Sequence, residues 1–442
     1  MINLYDRYTQ WSRDLQMSFK LAKLPTPAVV IHDDGFLPTF IDSPVQYFLK
    51  LAGSNFSGKP RYFNEVEVPH FWEIKGNARF GEIYDHENLK AKIEFAQPGD
   101  NSRLVKTVKW LGPNGKVRVI DQYNQWGWKF AQTTCNQNSR PIFTSYFTDQ
   151  QQEVLVENHV TGAVSVNFPS GQVKIFANWN KLTAYYLEHA NYDLDQVNFN
   201  SLGAPFFVVN FLGKRVKLRR LFWQENVPEG IPGNMRSLIA NPDGPYEIMV
   251  QSKNVYQTLT KMDPKANFHY LGFAYPFIRL NRGRAHALIL TNSDQIEHLE
   301  ELVAALPEMK FAVGAITEMS DKLLKLDRYE NVRLYPDIQD QELLKLVDWA
   351  DYYLDINHYN EILDAVRIAF IQNMLILTFD STIHNKRFVA EENCYSNNNY
   401  QKMISDLQNM ISNADELEAR LQAQWRAADR VLPESYRQFL KK

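Results

Sequence analysis

The chain has 442 residues, of which 45% are apolar and 22% charged, and its formal net charge is −3. One hydrophobic core rarely serves a chain of this length, so two or three domains are expected. The small net charge gives no electrostatic case for a nucleic-acid partner. Only two cysteines occur, Cys135 and Cys394, so no disulfide framework or zinc cluster is predicted, and the usage suits a reducing cytoplasm.

No segment predicts membrane insertion. The amino terminus lacks the apolar core of a signal peptide, and no stretch approaches the roughly 20 apolar residues that cross a bilayer. We therefore expect the protein to stay on the cytoplasmic side. Apolar residues recur at helical spacing over residues 1–22, which predicts a helix that packs on its own domain or lies on a membrane surface.

The first 60 residues have α/β character. Residues 28–31 read as a buried strand that ends in the polar sequence from His32 to Gly35. Ser43 and Pro44 then form the start signal of a helix that runs to about residue 51.

Residues 61–178 show the period-two alternation of β-strands. The turn signals lie at residues 76–77, 98–100, 113–115 and 169–171. The predicted strands cover residues 105–111, 116–120, 127–131, 141–147, 153–156, 164–168 and 172–176. Together they predict an antiparallel β-meander inserted into an α/β domain, a structure that serves contact more often than chemistry.

After the insertion, residues 180–189 predict a helix and residues 206–209 a buried strand. Five of the seven residues over 214–220 are basic. This run is interpreted as a solvated face, or alternatively as a contact with lipid head groups or a partner subunit. Strands at 246–250 and 268–273 complete the first α/β half.

The last third alternates strand and helix, which predicts a doubly wound parallel sheet. Strands are expected at 287–290, 310–313 and 331–335, with Ser293 capping a helix. Residues 352–379 form the clearest βαβ pattern: a strand, a polar loop, a helix from Glu361, a stop at Asn373 and a second buried strand. Ligands of such sheets gather at the carboxyl ends of strands, so the loop at 357–361 is the expected site.

A search for catalytic motifs finds none. Residues 53–60 have the glycine and lysine spacing of a phosphate loop, but Pro60 stands where a Ser or Thr is needed. The acidic pair at 193 and 195 is interpreted as a solvated turn. His32, His358 and His384 lack ligand-spaced partners and are expected to be structural. No metal site, no cofactor and no catalytic residue is predicted.

Three features carry a resemblance to a known family: residues 32–38 with Ser43 and Pro44, the β-rich insertion, and residues 354–367. The chain resembles the GtfB-type stabilising subunits of the accessory Sec O-glycosyltransferase, which modifies serine-rich repeat adhesins. The resemblance implies an α/β, GT-B-like fold of two Rossmann-like domains with an inserted antiparallel β-sheet domain. The implied boundaries are 1–60 with 179–275 for the N-terminal Rossmann-like domain, 61–178 for the inserted domain, and 276–442 for the C-terminal one.

The chain departs from active GT-B enzymes at the donor site. Active retaining members place a second glutamate eight positions after the first, and it holds the ribose of the sugar nucleotide. Counting from Glu361 reaches Ala369, beside Ile368, and neither can accept a ribose hydrogen bond. The loop at 291–294 also lacks the Arg and Lys that would neutralise a diphosphate. An active UDP-sugar glycosyltransferase with an atypical donor site remains the alternative.

The family implies a non-catalytic subunit that pairs with a catalytic GtfA-type glycosyltransferase in a hetero-oligomer. It would bind the serine-rich adhesin polypeptide for transfer of N-acetylglucosamine, or a related sugar, as a peripheral protein on the inner face of the cell membrane. The candidate acceptor-binding residues stand in two strand-end loops expected to face the interdomain cleft, where an extended chain could bind. They are Asp34, Asn357, His358, Tyr359 and Glu361. The alternative is that they only cap loops and helices.

Overall fold

The computed structural model describes residues 1–77, 79–97, 102–240 and 245–440. Its contacts divide the chain into two compact units, Met1–Leu271 and Gly272–Lys442. Each unit has its own hydrophobic core and is described by itself. The domain boundaries predicted near residues 60, 178 and 275 stay predictions.

The first unit begins with a short α/β segment. Its elements are β1 (Ile2–Tyr5), α1 (Gln10–Leu21), β2 (Ala28–Val30), β3 (Ile41–Asp42) and α2 (Pro44–Leu51). The single helix predicted over residues 1–22 is wrong at its start, because Ile2–Tyr5 is a buried strand that pairs in parallel with β2. The start signal at Ser43 is confirmed, since its hydroxyl accepts a hydrogen bond from the Gln46 N–H.

Ten antiparallel strands follow, each paired with its neighbours in sequence order. They are β4 (Glu73–Gly76), β5 (Phe80–Asp85), β6 (Asn88–Phe95), β7 (Val105–Leu111), β8 (Val117–Tyr123), β9 (Lys129–Cys135), β10 (Pro141–Phe147), β11 (Glu153–Asn158), β12 (Val164–Asn167) and β13 (Val173–Phe176). The seven predicted strands are confirmed, and β4–β6 join them. The predicted turn at 98–100 lies outside the described residues.

The two halves of this sheet bury their apolar residues differently. Val154, Leu155 and Val164 belong to the same core as Val45 and Phe48 of α2. The half formed by β5–β8 has a small core of its own. The insertion is therefore anchored at one end by shared hydrophobic packing with the α/β segment.

The α/β pattern then resumes. Its elements are α3 (Trp179–His189), β14 (Gln196–Phe199), α4 (Ala204–Leu212), β15 (Leu218–Trp223), α5 (Gly233–Ile239), β16 (Tyr246–Val250), α6 (Lys253–Met262) and β17 (Phe268–Tyr270). The strand predicted at 206–209 is wrong, because these residues lie in α4, whose apolar sequence reads equally well as a buried strand. The parallel sheet has the order β17-β16-β15-β14-β1-β2-β3.

Two arginines of the basic run are buried, so the solvated face predicted for 214–220 is wrong at its end. Arg220 donates to Glu247 over 2.7 Å and to Asn198 over 3.1 Å. Arg219 donates to the Gly213 carbonyl over 2.7 Å. Both residues lie on β15, and these hydrogen bonds hold their guanidinium groups inside the sheet.

The second unit is a six-stranded parallel sheet with helices, as predicted. Its elements are β18 (His286–Thr291), α7 (Leu299–Ala305), β19 (Lys310–Ala315), α8 (Asp321–Leu324), β20 (Val332–Tyr335), α9 (Asp340–Trp349), β21 (Tyr352–Asp355), α10 (Ala365–Ile371), β22 (Leu375–Phe379), β23 (Cys394–Tyr395), α11 (Tyr400–Ser412), α12 (Ala414–Ala427) and α13 (Pro433–Leu440). The order is β20-β19-β18-β21-β22-β23. Asn373 ends the α10 segment with a φ of 57°, as predicted.

A buried carboxylate anchors the segment that leads into this second sheet. Asp351 is fully buried and accepts hydrogen bonds from Arg279 Nη1 over 2.6 Å and from Arg284 Nε over 2.9 Å. Burial by itself raises the pKa of Asp351, but the hydrogen bonds from the two guanidinium groups outweigh it and hold the pKa below its ordinary value.

Within the described part of the chain, no helix combines the length and apolarity needed to span a bilayer.

Candidate functional site

The strand order of the second sheet reverses between β18 and β21, which pair directly in parallel. The loops that leave these two strands therefore start side by side at the carboxyl edge of the sheet. Such a switch point is where open α/β sheets bind their ligands. The predicted residues Asn357, His358, Tyr359 and Glu361 all lie in the loop after β21, so the structure places these four together.

Hydrogen bonds join the two loops at the switch point. The Glu297 N–H donates to the Ile356 carbonyl over 2.8 Å, and the His358 N–H donates to the Gln295 carbonyl over 2.9 Å. His358 Nε2 lies 2.6 Å from Glu297 Oε2. Asn357 is only 1% exposed. Backbone hydrogen bonds between the two loops therefore cross the crevice between β18 and β21. The N–H and C=O groups that form these bonds satisfy one another.

The helix predicted from Ser293 begins later for the same reason. Residues 295–297 pair with the loop after β21 and cannot be helical, so α7 starts only at Leu299. Ser293 instead stabilises its own turn, with its hydroxyl accepting from the Gln295 N–H.

A buried Asp–His pair lies beneath the loop. Asp355 is fully buried at the end of β21, and its carboxylate accepts from both the backbone N–H and Nδ1 of His384, over 2.9 and 2.6 Å. His384 Nε2 lies 2.7 Å from the Tyr359 carbonyl oxygen, which can only accept. Both ring nitrogens therefore face acceptors, which suits the imidazolium. The hydrogen bond to Asp355 accordingly raises the pKa of His384 above its ordinary value.

Glu361 closes the loop at its other end. Its carboxylate accepts from the Val366 N–H over 2.8 Å at the start of α10, so it caps that helix. Burial raises the pKa of this carboxyl group. The helix predicted from Glu361 begins only at Ala365, because Leu363 and Asp364 have φ angles of 55° and 54°.

Three left-handed residues within six positions make this loop unusual. Tyr359 has a φ of 71°, and Leu363 and Asp364 follow with positive values. Such conformations are strained for residues with a Cβ atom and persist only where surrounding contacts enforce them. The side chain of Tyr359 is nevertheless 66% exposed, so the strained loop presents an aromatic ring to solvent.

Ile368 and Ala369 stand where active GT-B enzymes carry the ribose-binding glutamate, and both lie inside α10. Ala369 is 1% exposed and packs into the unit, while Ile368 is partly buried. Both offer only hydrocarbon at this point of the helix. Neither position presents a hydrogen-bonding side chain to a ligand.

The fifth predicted residue, Asp34, lies in the first unit and contacts the inserted sheet. Its carboxylate forms an ion pair with Lys106 Nζ at 2.6 Å and accepts from the Phe36 N–H at 3.1 Å. The neighbouring Gly35 carbonyl accepts from the Gln125 N–H over 2.8 Å. This loop therefore holds the α/β segment against the insertion through an ion pair and a hydrogen bond. That Asp34 shares one surface with the 357–361 loop stays a prediction.

The structure adds three residues that the sequence reading did not assign to the site: Glu297, Asp355 and His384. Asp355 carried a usable signal, because it ends a buried strand next to the predicted loop. Glu297 and His384 carried none, since each is remote in sequence from its partner. The expectation that His358 and His384 are structural agrees with their contacts, because each has a carboxylate partner.

Four family models match the chain in order. They describe the GtfB N-terminal domain over residues 2–48, the GtfB middle domain over 72–177, the GtfB third domain over 180–262 and the GftB/GlyA-F C-terminal domain over 287–424. A protein of Streptococcus agalactiae is 40% identical to the chain over 93% of its length and 92% of the relative. That relative is named UDP-N-acetylglucosamine–peptide N-acetylglucosaminyltransferase stabilizing protein GtfB. The chain belongs to the GtfB family.

Other similarities agree with membership of the GtfB family. A protein of the same name from Limosilactobacillus reuteri is 37% identical over 100% of the chain and 99% of that protein. A chain in a crystal structure of a GtfA/B complex bound to UDP and GlcNAc is 36% identical, with a TM-score of 0.93 over 100% of this chain and 99% of that one. One chain in a crystal structure of accessory secretory proteins 1, 2 and 3 of Streptococcus pneumoniae shares the fold at 12% identity, with a TM-score of 0.64 over 100% of this chain and 98% of that chain. The predicted family and GT-B-like fold class are confirmed.

Proposed function

We propose that the chain is the non-catalytic, stabilising subunit of a protein O-glycosyltransferase complex whose catalytic partner is a GtfA-type glycosyltransferase. The observation that carries this proposal is full-length similarity: relatives at 36–40% identity over at least 92% of their own length are named stabilizing proteins of a UDP-N-acetylglucosamine–peptide transferase. The solved relative with a TM-score of 0.93 is part of a GtfA/B complex.

The switch-point geometry supports the absence of catalysis in this chain. The donor crevice of an active GT-B enzyme must admit a nucleotide diphosphate, whereas segments 295–297 and 356–358 bond to each other across this crevice. The carboxylate of Glu361 already accepts the Val366 N–H that an anion could otherwise use. A diphosphate placed here would lie beside the carboxyl groups of Glu297 and Glu361, whose negative charge disfavours it. We infer that the chain does not bind a sugar nucleotide in the ordinary way.

We further propose that the 357–361 loop contacts the serine- and threonine-rich acceptor polypeptide of a serine-rich repeat adhesin. The contacts divide the predicted residues into two roles. Tyr359 and His358 have exposed surface and are proposed to touch the acceptor. Asn357 and Glu361 are committed to the loop and to α10, so they are proposed to hold its shape. Asp34 stays a proposed contact from the other unit.

The complex is proposed to work at the inner face of the cell membrane, as part of an accessory Sec system, with this chain bound peripherally. The support is the family resemblance. Flotation of the co-expressed complex on liposomes made from anionic bacterial lipids tests this location. Recovery of the complex in the lipid-free fraction alone at low salt would contradict it.

Co-expression with the catalytic partner tests the main proposal. We expect the two chains to co-elute on a sizing column and to glycosylate a serine-rich peptide together when UDP-N-acetylglucosamine is supplied. The purified chain alone is expected to bind the peptide without transferring sugar. Turnover of UDP-N-acetylglucosamine by the chain alone would instead favour an active transferase with an atypical donor site.

A further inference from the structure

The first unit contains a cavity of about 690 Å³, and its lining includes no residue of the predicted site loops at 32–36 and 357–361. It lies between α2, the end of α3 and the turn between β8 and β9. Its walls combine aromatic and polar side chains, chief among them Tyr47, Phe56, Trp126, Asp42, His189 and Tyr192. Its volume falls within the range of roughly 300–1,000 Å³ that small-molecule sites occupy.

Aromatic rings form the apolar wall of this cavity. The rings of Phe56 and Trp126 meet edge to face with their centroids 4.8 Å apart. The ring centroids of Tyr47 and Tyr186 are 4.9 Å apart. Tyr47, Phe56 and Trp126 are each partly exposed, so their rings are reachable from the cavity. Rings that stay partly open offer flat surfaces on which the C–H face of a saturated ring can pack.

A hydrogen-bonded chain fixes the polar wall. The Tyr192 hydroxyl donates to Asp42 Oδ2 over 2.6 Å, so its oxygen accepts from the Tyr186 hydroxyl at 2.9 Å. Asp42 is exposed and keeps lone pairs for further donors. His189 Nδ1 lies 2.7 Å from the Tyr185 carbonyl, which makes Nδ1 the donor and leaves Nε2 of the neutral ring as an acceptor.

An unsatisfied hydroxyl lies in the same wall. Ser54 is 9% exposed, and its Oγ has no hydrogen-bond partner among the residues that the structure describes. A buried polar group left unpaired is destabilising, and a ligand hydroxyl that reaches it removes this cost. The lining residues include one carboxylate, Asp42, and one ammonium group, Lys50, so the cavity has no excess charge to select an ion.

From these features we propose that the cavity binds a neutral pyranose sugar. Aromatic surfaces would pack against the ring carbons, while Asp42, His189 and Ser54 would bond to ring substituents. The sugar can come from two sources, a free monosaccharide or one linked to a serine of a polypeptide. The second source rests on the proposed function, because it requires that the chain handle glycosylated acceptor.

Calorimetric titration of the full-length chain tests this site with three probes: free N-acetylglucosamine, a serine-rich peptide carrying that sugar, and the same peptide unmodified. We expect the free sugar to bind with a dissociation constant of about 1 mM, typical of a ligand of this size. Ser54→Ala removes the unpartnered hydroxyl without breaking a protein hydrogen bond, and should weaken sugar binding about three- to tenfold. Trp126→Ala should weaken it at least about tenfold.

Ser57→Ala is the matched control, because Ser57 is exposed on the same segment and does not line the cavity. Its affinity for the sugar should equal that of the wild type. Tighter binding of the glycosylated peptide than of the free sugar would identify the linked source, and equal binding the free one. Failure of the free sugar to bind at concentrations well above 1 mM, or equal affinity in the Ser54→Ala and Trp126→Ala variants, would overturn the proposal. So would cavity-dependent binding of the unmodified peptide without binding of sugar. None of these results depends on whether the chain stabilises a catalytic partner, which co-expression tests separately.

Discussion

His384 connects the buried Asp355 to the exposed loop after β21. Its Nδ1 lies 2.6 Å from the Asp355 carboxylate, and its Nε2 lies 2.7 Å from the Tyr359 carbonyl oxygen. One imidazolium thus bonds a strand end on one side and a strained loop residue on the other. The His384 ring therefore helps to hold the shape of the proposed acceptor-binding loop.

Replacing this ring should destabilise the second unit in a pH-dependent way. His384→Ala leaves the Asp355 side chain without its ring partner, and should lower the free energy of unfolding by about 3 kcal/mol at pH 6. The pKa of His384 is raised in the folded chain, so its contribution is full below the unfolded value near 6.5 and is lost as pH rises through the folded value. Urea unfolding at pH 6 and pH 9 should show a smaller difference between variant and wild type at pH 9. An equal difference at both pH values would contradict the charged-ring assignment.

Tyr359 should matter for binding and little for stability. Its ring is exposed, and only its backbone carbonyl contacts His384. Tyr359→Ala should weaken binding of an unglycosylated serine-rich peptide about tenfold and leave the melting temperature unchanged, as loss of an aromatic contact residue does. Leu344→Ala is the control, because Leu344 is also exposed in this unit but lies on α9. Equal peptide affinity in the two variants would remove Tyr359 from the acceptor site.

Asp351 should make the second unit sensitive to acid. Its folded pKa is depressed by the two arginines, so its stabilisation is present above the unfolded pKa near 3.9 and is lost as pH falls through the folded value. Asp351→Asn should cost about 3–5 kcal/mol at pH 7, because two guanidinium groups lose their buried partner. Asp348→Asn, at an exposed ion pair with Arg282, should cost less than about 1 kcal/mol. Chemical denaturation of both variants checks the contrast.

Much of the fold could be predicted because strand periods and turn residues are local signals. Alternation predicts the strands at 105–111 and 141–147, and the change of period predicts the βαβ unit around residues 352–379. Failures came where local signals are ambiguous: residues 206–209 fit a strand or an apolar helix, and only tertiary packing decides for α4. Ser293 has the sequence signal of a helix cap, but residues 295–297 pair with the loop after β21, so the helix begins only at Leu299.

The candidate site was predictable only in part, for a related reason. Position in a βαβ unit identified the loop that contains Asn357 and Tyr359. The ring of His384 contacts the Tyr359 carbonyl of that loop from 25 residues away, a contact that no spacing rule indicates. The basic run shows the converse, because Arg219 and Arg220 look solvated in sequence but are buried on β15, where Arg220 bonds to Glu247 and Asn198 on two other strands.

Arg220 should therefore behave as a structural residue. Arg220→Ala leaves Glu247 and Asn198 without their partner inside the sheet, and should lower stability by about 3 kcal/mol. Lys214→Ala, at an exposed position of the same run, should change stability by less than about 0.5 kcal/mol. Thermal unfolding distinguishes them. Similar melting temperatures would mean that the run acts as one solvated surface.

Gly35 should be essential for joining the inserted sheet to the α/β segment. It has a φ of +86°, and a Cβ atom there would lie 2.7 Å from the Tyr123 carbonyl oxygen. Gly35→Ala should destabilise the first unit by more than about 2 kcal/mol, because backbone strain adds to the clash. Gly171→Ala is the matched control, with a φ of +81° but open space around the added methyl group. Limited proteolysis should cut the insertion faster in Gly35→Ala only.

The most direct test of the account compares transfer of N-acetylglucosamine from its UDP form to a serine-rich peptide by this chain alone, by its catalytic partner alone and by the two co-expressed chains. We expect no transfer by this chain alone, and we expect a greater yield of active partner when the chain is present. Transfer by this chain alone, or a partner whose yield and activity are the same with and without it, would contradict the assignment as a stabilising subunit.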